Sequence, residues 1–258
     1  MTPSDPVLCT IDQGIATLTL NRPEKRNALA RPVLEALKGH LEAIARDPRV
    51  RAVILGAAGP VFSSGHDLAE VAQLDEPDAR SLFALCTEVM EAIRGLPQPV
   101  IARVHGLATA AGCQLAASCD LVVAAETASF ATPGVKIGLF CTTPGVALSR
   151  AVGTKKALEM LLTGRAIGAR EAEQAGLVNR IAPPDQLEAE TLALARQIIA
   201  ASPRVLATGK RAFYAQLPLD RPAAYALAQE VMVESCLKPD AREGIAAFLG
   251  KRPPQWPG

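Results

Sequence analysis

Two stretches of small residues decide how this chain is expected to fold: residues 61–68 (VFSSGHDL) and residues 104–115 (VHGLATAAGCQL). Each comes at the end of an apolar run typical of a buried strand, residues 53–55 for the first and Val100–Val104 for the second. Small residues at a strand exit leave backbone N–H groups open to a ligand, and a helix start adds free donors and a positive dipole end. Two such donors aimed at one point would form an oxyanion hole.

Composition places the chain among single α/β domains with a helical appendage. It has 258 residues, of which 49% are hydrophobic but only 3% aromatic, so we expect a core of Ala, Leu, Val and Ile. The formal net charge of +1 argues against a dedicated nucleic-acid surface. Clustered Lys and Arg can still bind a phosphorylated small molecule.

Strand, loop and helix units recur along the first part of the chain. The expected elements are a hairpin of Val7–Asp12 and Ile15–Leu20, a helix over 30–45, a strand over 50–55, a helix over 78–94, the strand Val100–Val104, a helix over 110–118 and the strand Leu121–Ala125. After about Leu162 the pattern predicts helices over 169–175, 186–201, 204–216, 221–237 and 241–249. For the last helix we expect a capping box of Asp240 and Glu243.

Several protein classes are set aside by what the sequence lacks. No apolar run is long enough to cross a membrane, and residues 1–6 lack the regions of a signal peptide, so we expect a cytoplasmic protein. Six scattered cysteines without a CxxC pair indicate reduced thiols. Three histidines without paired spacing indicate no metal site. Without a Walker A motif or a GxGxxG after a strand, NAD and ATP chemistry is not expected.

Further motifs accompany the two stretches. They are residues 21–29 (NRPEKRNAL), 130–133 (FATP), 161–164 (LLTG), 169–172 (AREA), 243–244 (EG) and 247–252 (AFLGKR). Together they resemble the enoyl-CoA hydratase/isomerase (crotonase) family over nearly the whole chain, closest to a divergent branch of it. The resemblance implies an α/β fold in which repeated ββα units form a spiral over residues 1–195. A C-terminal helical trimerisation region over residues 196–258 would give a homotrimer or a dimer of trimers.

The same resemblance assigns the candidate catalytic positions. It places the two oxyanion donors at the backbone N–H groups of His66 and Ala111. Active hydratases of the family carry glutamates where this chain has Gln114 and Gly134. One carboxylate handles water and the other the α-carbon proton. We therefore expect very slow or absent hydration of crotonyl-CoA. If the scaffold is otherwise competent, Gln114→Glu combined with Gly134→Glu should raise the rate.

Two questions stay open at these positions. Ala111 stands where the family usually has glycine, so it is strained if the position needs a positive φ and harmless if its backbone is helical. The His66 side chain either serves as an acid or base near neutral pH or fills the loop. The polar residues expected to be within reach of an acyl pocket are Glu70, Cys141, Thr142 and Thr143, although Cys141 fits the core equally well.

The resemblance also places a coenzyme A thioester, with no further cofactor. The expected contacts are Lys25, Arg26 and Ala28 at the adenine and phosphate end, then Ser64, Gly65, His66, Asp67, Leu68, Leu107 and Pro133, with Phe248 and Lys251 reaching in from C-terminal helices, often of a neighbouring subunit. Lys and Arg suit the coenzyme's phosphates, although the same cations could be solvated surface charges.

Two functions follow. The first is an acyl-CoA enzyme, catalysing isomerisation, thioester hydrolysis or weak hydration with a non-standard base. The second is a non-catalytic acyl-CoA binder or regulatory pseudoenzyme. The framework of motifs favours the first, and the loss of both glutamates favours the second. In either case we expect an acyl-CoA ligand and self-association, without a nucleic-acid or membrane partner.

Overall fold

The chain winds through two sheets and passes from one to the other at each turn. The structure is a computed structural model that describes residues 5–257, so residues 1–4 and Gly258, the ends of the two predicted regions, lie outside the described residues. The strands are β1 (Val7–Asp12), β2 (Ile15–Leu20), β3 (Ala52–Ala57), β4 (Val61–Ser63), β5 (Val100–Val104), β6 (Leu107–Thr109), β7 (Leu121–Ala125), β8 (Ser129–Ala131), β9 (Ile167–Gly168) and β10 (Arg180–Ala182).

Helices follow the strand pairs and then make up the C-terminal part. They are α1 (Arg31–Arg46), α2 (Leu68–Val71), α3 (Glu76–Gly95), α4 (Ala111–Ser118), α5 (Thr142–Ala151), α6 (Thr154–Thr163), α7 (Ala169–Gln174), α8 (Leu187–Ile199), α9 (Pro203–Gln216), α10 (Arg221–Cys236) and α11 (Pro239–Leu249). Short 3₁₀ helices cover Pro23–Lys25 and Pro133–Ile137. Within residues 5–257, no helix has the length and apolar character needed to span a bilayer.

Each turn gives one strand to each sheet and is followed by a helix. The larger sheet has the order β1-β2-β3-β5-β7-β10, and the smaller has β4-β6-β8-β9. The pairs β3–β5 and β5–β7 are parallel, as are β4–β6 and β6–β8. Successive turns β3-β4, β5-β6 and β7-β8 therefore stack as repeated ββα units. The predicted α/β spiral is confirmed.

The central strands of the larger sheet read as continuous apolar runs, and both faces of that sheet are buried. One face of the larger sheet packs into the main core with α1, α3 and α4. The other face, which includes Ile54, Ile101 and Val123, packs against Leu187 and Leu194 of α8. Parallel strands covered on both sides are expected to read as continuous apolar runs. The predicted boundary between residues 195 and 196 falls inside α8, which packs on this sheet.

Candidate active site

The two decisive stretches meet where β4 and β6 pair. In that parallel pair, Ser63 lies opposite Ala108, so the chain leaves both strands side by side. Gly65 has φ +85°, and a Cβ on it would lie 3.1 Å from Ala111 N. A Cβ on Gly112 would lie 2.4 Å from the carbonyl oxygen of Ser63. Glycine at both positions therefore allows the loop after β4 and the start of α4 to pack backbone against backbone.

This contact brings the two predicted oxyanion donors together. His66 follows Gly65 directly, and Ala111 is the first residue of α4. In the described part of the chain, neither backbone N–H donates a hydrogen bond to the protein. A helix start leaves such donors free and adds the positive end of its dipole. Two free donors that lie close together are compatible with the predicted oxyanion hole, and the roles of both residues remain predictions.

Ala111 has a helical backbone, so the harmless alternative applies there, and the strained residue is the one before it. Ala110 has φ +50° and ψ −120°, a region that side-chain-bearing residues rarely occupy, whereas Ala111 begins the helix. Such a conformation costs about 1–3 kcal/mol and persists only where the surroundings fix it. Here Ala110 N donates to Ala131 O at 2.9 Å, and Ala110 O accepts from Gln114 N at 3.0 Å. The strained residue thus links β8 to α4 and orients the Ala111 N–H.

Gln114 lies one helical turn after Ala111. Its side chain is only 5% exposed, and its Oε1 has no hydrogen-bond partner within residues 5–257. The Thr132 hydroxyl, which is fully buried in the loop after β8, likewise has no partner there. Buried polar atoms without partners are rare in folded proteins, so both suit a site that is completed by a ligand or ordered water.

The space beside Gly134 is already filled by other atoms of the protein. A Cβ there would lie 2.8 Å from Cys141 Sγ and 2.8 Å from Leu139 O, and the Gly134 N–H points to Cys141 Sγ at 3.3 Å. The buried thiol and the backbone of residue 139 therefore occupy the space beside Gly134. Gly134→Glu cannot be accommodated unless this loop moves. The expectation that restoring both glutamates raises hydration therefore stays a prediction, and it requires that this loop moves.

The His66 imidazole packs beside the oxyanion hole. Its Nδ1 lies 3.1 Å from Leu29 O, and because a carbonyl oxygen only accepts, Nδ1 carries the proton in this contact. In the neutral ring Nε2 then holds a lone pair, and within residues 5–257 this atom has no partner. Burial lowers the pKa of His66 from its ordinary 6.5, partly offset by Leu29 and Glu70. The ring also stacks edge-to-face on Phe83 of α3, at 5.3 Å between centroids.

A cavity of about 430 Å³ opens beside Gln114. Its walls come from α3, α4, α5 and α9 and include Thr87, Met90, Thr143, Val146 and Phe213. Thr143 was expected near an acyl pocket, and it lines this cavity. Glu70 lies elsewhere, since its carboxylate accepts the Arg31 N–H at 3.3 Å and contributes to the field at His66. Cys141 packs against Gly134 instead, which is the core alternative.

The residues predicted to hold the coenzyme mostly lie along one edge of the site. Asn27 anchors them, because its side-chain amide donates to Ala58 O and Val61 O at 2.8 and 2.7 Å. The Ser64 N–H donates to Arg26 O at 3.0 Å. The segment with Lys25, Arg26 and Ala28 therefore runs beside the loop with Ser64, Gly65, Asp67 and Leu68. Lys25 and Arg26 are exposed, as cations that meet a phosphate should be.

Other predicted contacts are more widely spread. Asp67 caps α2, accepting the Ala69 N–H at 3.0 Å. Leu107 lies in β6 and Pro133 begins the 3₁₀ helix after β8, so both flank the site. Phe248 is 83% exposed in α11, and Lys251 follows that helix. Within the described residues, no hydrogen bond or ion pair joins Phe248 or Lys251 to the coenzyme segment.

Sequence reasoning missed several residues of the site. Thr132 is the variable position of the FATP motif, so the motif did not single it out. None of the quoted motifs contains the other four residues, Phe83, Thr87, Arg94 and Arg150. Their spacing is compatible with one face of α3 and of α5. The sequence alone does not indicate which face of each helix lines the site.

Comparison with known proteins agrees with this geometry. Residues 10–258 match the family model described as enoyl-CoA hydratase/isomerase, and the chain belongs to that family. The mitochondrial enoyl-CoA hydratase domain-containing protein 3 of Mus musculus is 49% identical over 256 residues, covering 98% of this chain and 85% of that protein. The divergent branch indicated by the sequence is that of the enoyl-CoA hydratase domain-containing protein 3-like members, and this is confirmed.

Solved structures show the same fold. The crystal structure of an enoyl-CoA hydratase from Mycobacterium smegmatis matches with a TM-score of 0.96 at 49% identity, over 98% of this chain and 99% of that chain. Human enoyl-CoA hydratase domain-containing protein 3 matches with a TM-score of 0.93 at 48% identity, over 97% of this chain and 100% of that chain.

Proposed function

We propose that this protein binds an acyl-CoA thioester and polarises its carbonyl group between the N–H groups of His66 and Ala111. The supporting observation is that these donors converge through Gly65 and lack acceptors in the described chain. Negative charge develops on that oxygen when an α-proton leaves or a nucleophile attacks. One such donor typically contributes about 3 kcal/mol to transition-state stabilisation.

The imidazole of His66 is our candidate for proton transfer. It is neutral near pH 7 because burial lowers its pKa, and its Nε2 lone pair has no partner in residues 5–257. Gln114 cannot exchange a proton, and Gly134 has no side chain. Negative charge develops on the carbonyl oxygen in both isomerisation and thioester hydrolysis, so both reactions are candidates. Ordinary hydration needs both carboxylates, each worth about 100- to 10,000-fold, so crotonyl-CoA should be hydrated very slowly.

A second candidate is non-catalytic acyl-CoA binding. It is supported by the filled space beside Gly134, where Cys141 Sγ and Leu139 O leave no room for a carboxylate. The two candidates share the coenzyme site and differ only in proton transfer.

Exchange of the acyl α-protons with deuterated water distinguishes them, because exchange reports enolate formation without a net reaction. We expect slow exchange by the wild type and its loss in His66→Gln, which keeps the backbone donor. The rate should drop as the pH falls through the lowered His66 pKa, since the protonated ring is no base. His40→Gln is the matched control, because His40 Nε2 contacts Val7 O away from the site. Tight binding with neither exchange nor release of free coenzyme A would establish the non-catalytic alternative.

We also propose that the coenzyme's phosphates lie near Lys25 and Arg26, and that Phe248 and Lys251 reach the site from a neighbouring subunit of a homotrimer or dimer of trimers. The exposure of Phe248 supports this, because a side chain that is 83% exposed on one protomer becomes useful when a second protomer covers it.

A further inference from the structure

The cavity beside Gln114 adjoins a second cavity, and its lining changes from one end to the other. Five of its lining residues also line a neighbouring cavity of about 830 Å³. These shared residues are Glu91, Arg94, Arg150, Tyr214 and Leu217. The smaller cavity alone is lined by Gln114, Thr87 and Thr143. Because Gln114 lies one helical turn after Ala111 on α4, we take this part of the cavity as its inner end.

Two helices run from the inner end to the outer end in the same register. On α3, Thr87 is followed seven residues later by Arg94, and on α5, Thr143 is followed seven residues later by Arg150. A helix rises by about 1.5 Å per residue, so each arginine lies about 10 Å beyond its threonine. Both arginines reach the outer end, where the two cavities join.

The middle of the cavity is apolar and its outer end is cationic. Met90, Val146 and Phe213 line the walls. In the described chain neither Arg94 nor Arg150 forms a salt bridge: Arg94 stacks over the Tyr214 ring at 4.5 Å, and Arg150 donates to Val146 O at 2.9 Å.

The other charges around this end leave it positive. Glu91 is exposed and lines both cavities. Asp120 is already bound by Lys210 Nζ at 2.6 Å and by the Tyr214 hydroxyl at 2.8 Å. Arg211 adds a further cation to the outer cavity. Among the described residues of this end, Glu91 is the carboxylate without an ion-pair partner, and three arginines lie around it: Arg94, Arg150 and Arg211.

We propose that the acyl group taken by this site ends in a carboxylate, so that the ligand is a medium-chain ω-carboxyacyl-CoA. This rests on the proposed function, because the thioester end must lie at His66 and Ala111. The methylene chain then passes the apolar walls, and the distal carboxylate meets Arg94 and Arg150. Guanidinium groups bind carboxylates through paired, charge-assisted hydrogen bonds, whereas a neutral tail offers them nothing.

Calorimetric binding of a matched pair of ligands tests the proposal. Suberoyl-CoA and octanoyl-CoA have the same eight-carbon chain and differ only in the distal carboxylate. The wild type should bind suberoyl-CoA about tenfold more tightly, as expected for a charge-assisted contact. Arg150→Gln should abolish this preference and Arg150→Glu should reverse it, with octanoyl-CoA binding unchanged. Arg150 is exposed, so neither substitution removes a core contact.

Arg80→Gln is the matched control. It removes an exposed arginine from the same helix as Arg94, one that pairs with Glu76, and it should keep the preference for suberoyl-CoA over octanoyl-CoA. If octanoyl-CoA and suberoyl-CoA bind equally to the wild type, the carboxylate proposal is wrong and the acyl-CoA function stands. If the preference persists in Arg150→Gln and Arg150→Glu, the carboxylate lies elsewhere and this assignment is wrong. If neither thioester nor coenzyme A binds, the proposed function itself fails.

Discussion

At the scale of single residues, the site depends on positions where side chains are absent or small. Gly65 and Gly112 allow close backbone contact, and Ala110 holds a strained backbone just before the donor Ala111. The two donors and the missing glutamates were assigned from contiguous motifs, and their roles stay predictions. The contact of Cys141 Sγ with Gly134 could not be predicted, because it depends on how residues 135–140 turn back.

Gly134→Ala tests that filled space. The added methyl group would lie 2.8 Å from Cys141 Sγ and Leu139 O, so we expect a loss of about 1–3 kcal/mol in the free energy of unfolding. Urea unfolding measures this. Gly209→Ala is the control, because a Cβ there meets nothing within 4 Å and alanine favours the helix, so stability should hold or rise. Unchanged stability in Gly134→Ala would mean that the space beside Gly134 is open.

At the scale of elements, an ion pair whose side chains are only 8% and 14% exposed fixes α9 to the core. Asp120, which follows α4, accepts hydrogen bonds from Val100 N at 2.7 Å and from the Tyr214 hydroxyl, and it pairs with Lys210 Nζ. Lys210 also donates to Ile93 O and Gln98 O, both at 3.0 Å. Sequence analysis did not foresee the pair, because its partners are ninety residues apart in the chain.

Lys210→Met should destabilise the protein strongly. Desolvation lowers the Lys210 pKa, and the partner that keeps the ammonium charged is Asp120. Removing the cation leaves a buried carboxylate uncompensated, which costs about 3–5 kcal/mol. Thermal unfolding measures this, with Arg211→Met as the control, since Arg211 is the exposed neighbour on α9. Equal melting temperatures for the two variants would contradict an anchoring role of the ion pair.

The last helix shows where local patterns mislead. The sequence predicts a capping box of Asp240 and Glu243, but α11 begins at Pro239 with Lys238 at the N-cap. Asp240 instead accepts the Ser202 hydroxyl, and Glu243 pairs with Arg252. The capping prediction is wrong because proline suits the first helical turn and shifts the start by two residues. Tertiary partners then take up both carboxylates.

At the scale of the whole molecule, the spiral is confirmed, whereas the assembly stays a prediction. Both were implied by the family resemblance, and the recurring strand, loop and helix units fit the spiral. The helices α9 and α10 have no buried residue and expose apolar side chains, among them Tyr225, Met232 and Val233. Such faces are usually covered by another protein surface. A single chain cannot show which surface covers them.

We expect a homotrimer or a dimer of trimers in solution. One chain has a mass of 27.0 kDa, so light scattering should give a mass of about three or six times that value. Burial of the exposed faces of α9 and α10 between subunits is the physical reason. Met232→Glu places a charge on the exposed face of α10 and should lower the mass. A mass near 27 kDa for the wild type at dilute concentration would contradict self-association.

The central claim is that two backbone N–H groups polarise a thioester carbonyl. Infrared difference spectroscopy of octanoyl-CoA labelled with carbon-13 at that carbonyl measures it directly. We predict that the carbonyl band shifts to lower frequency on binding, because the N–H groups of His66 and Ala111 both donate to the carbonyl oxygen. His66→Gln should keep the shift. A saturated complex whose carbonyl band matches that of free octanoyl-CoA in water would contradict the account.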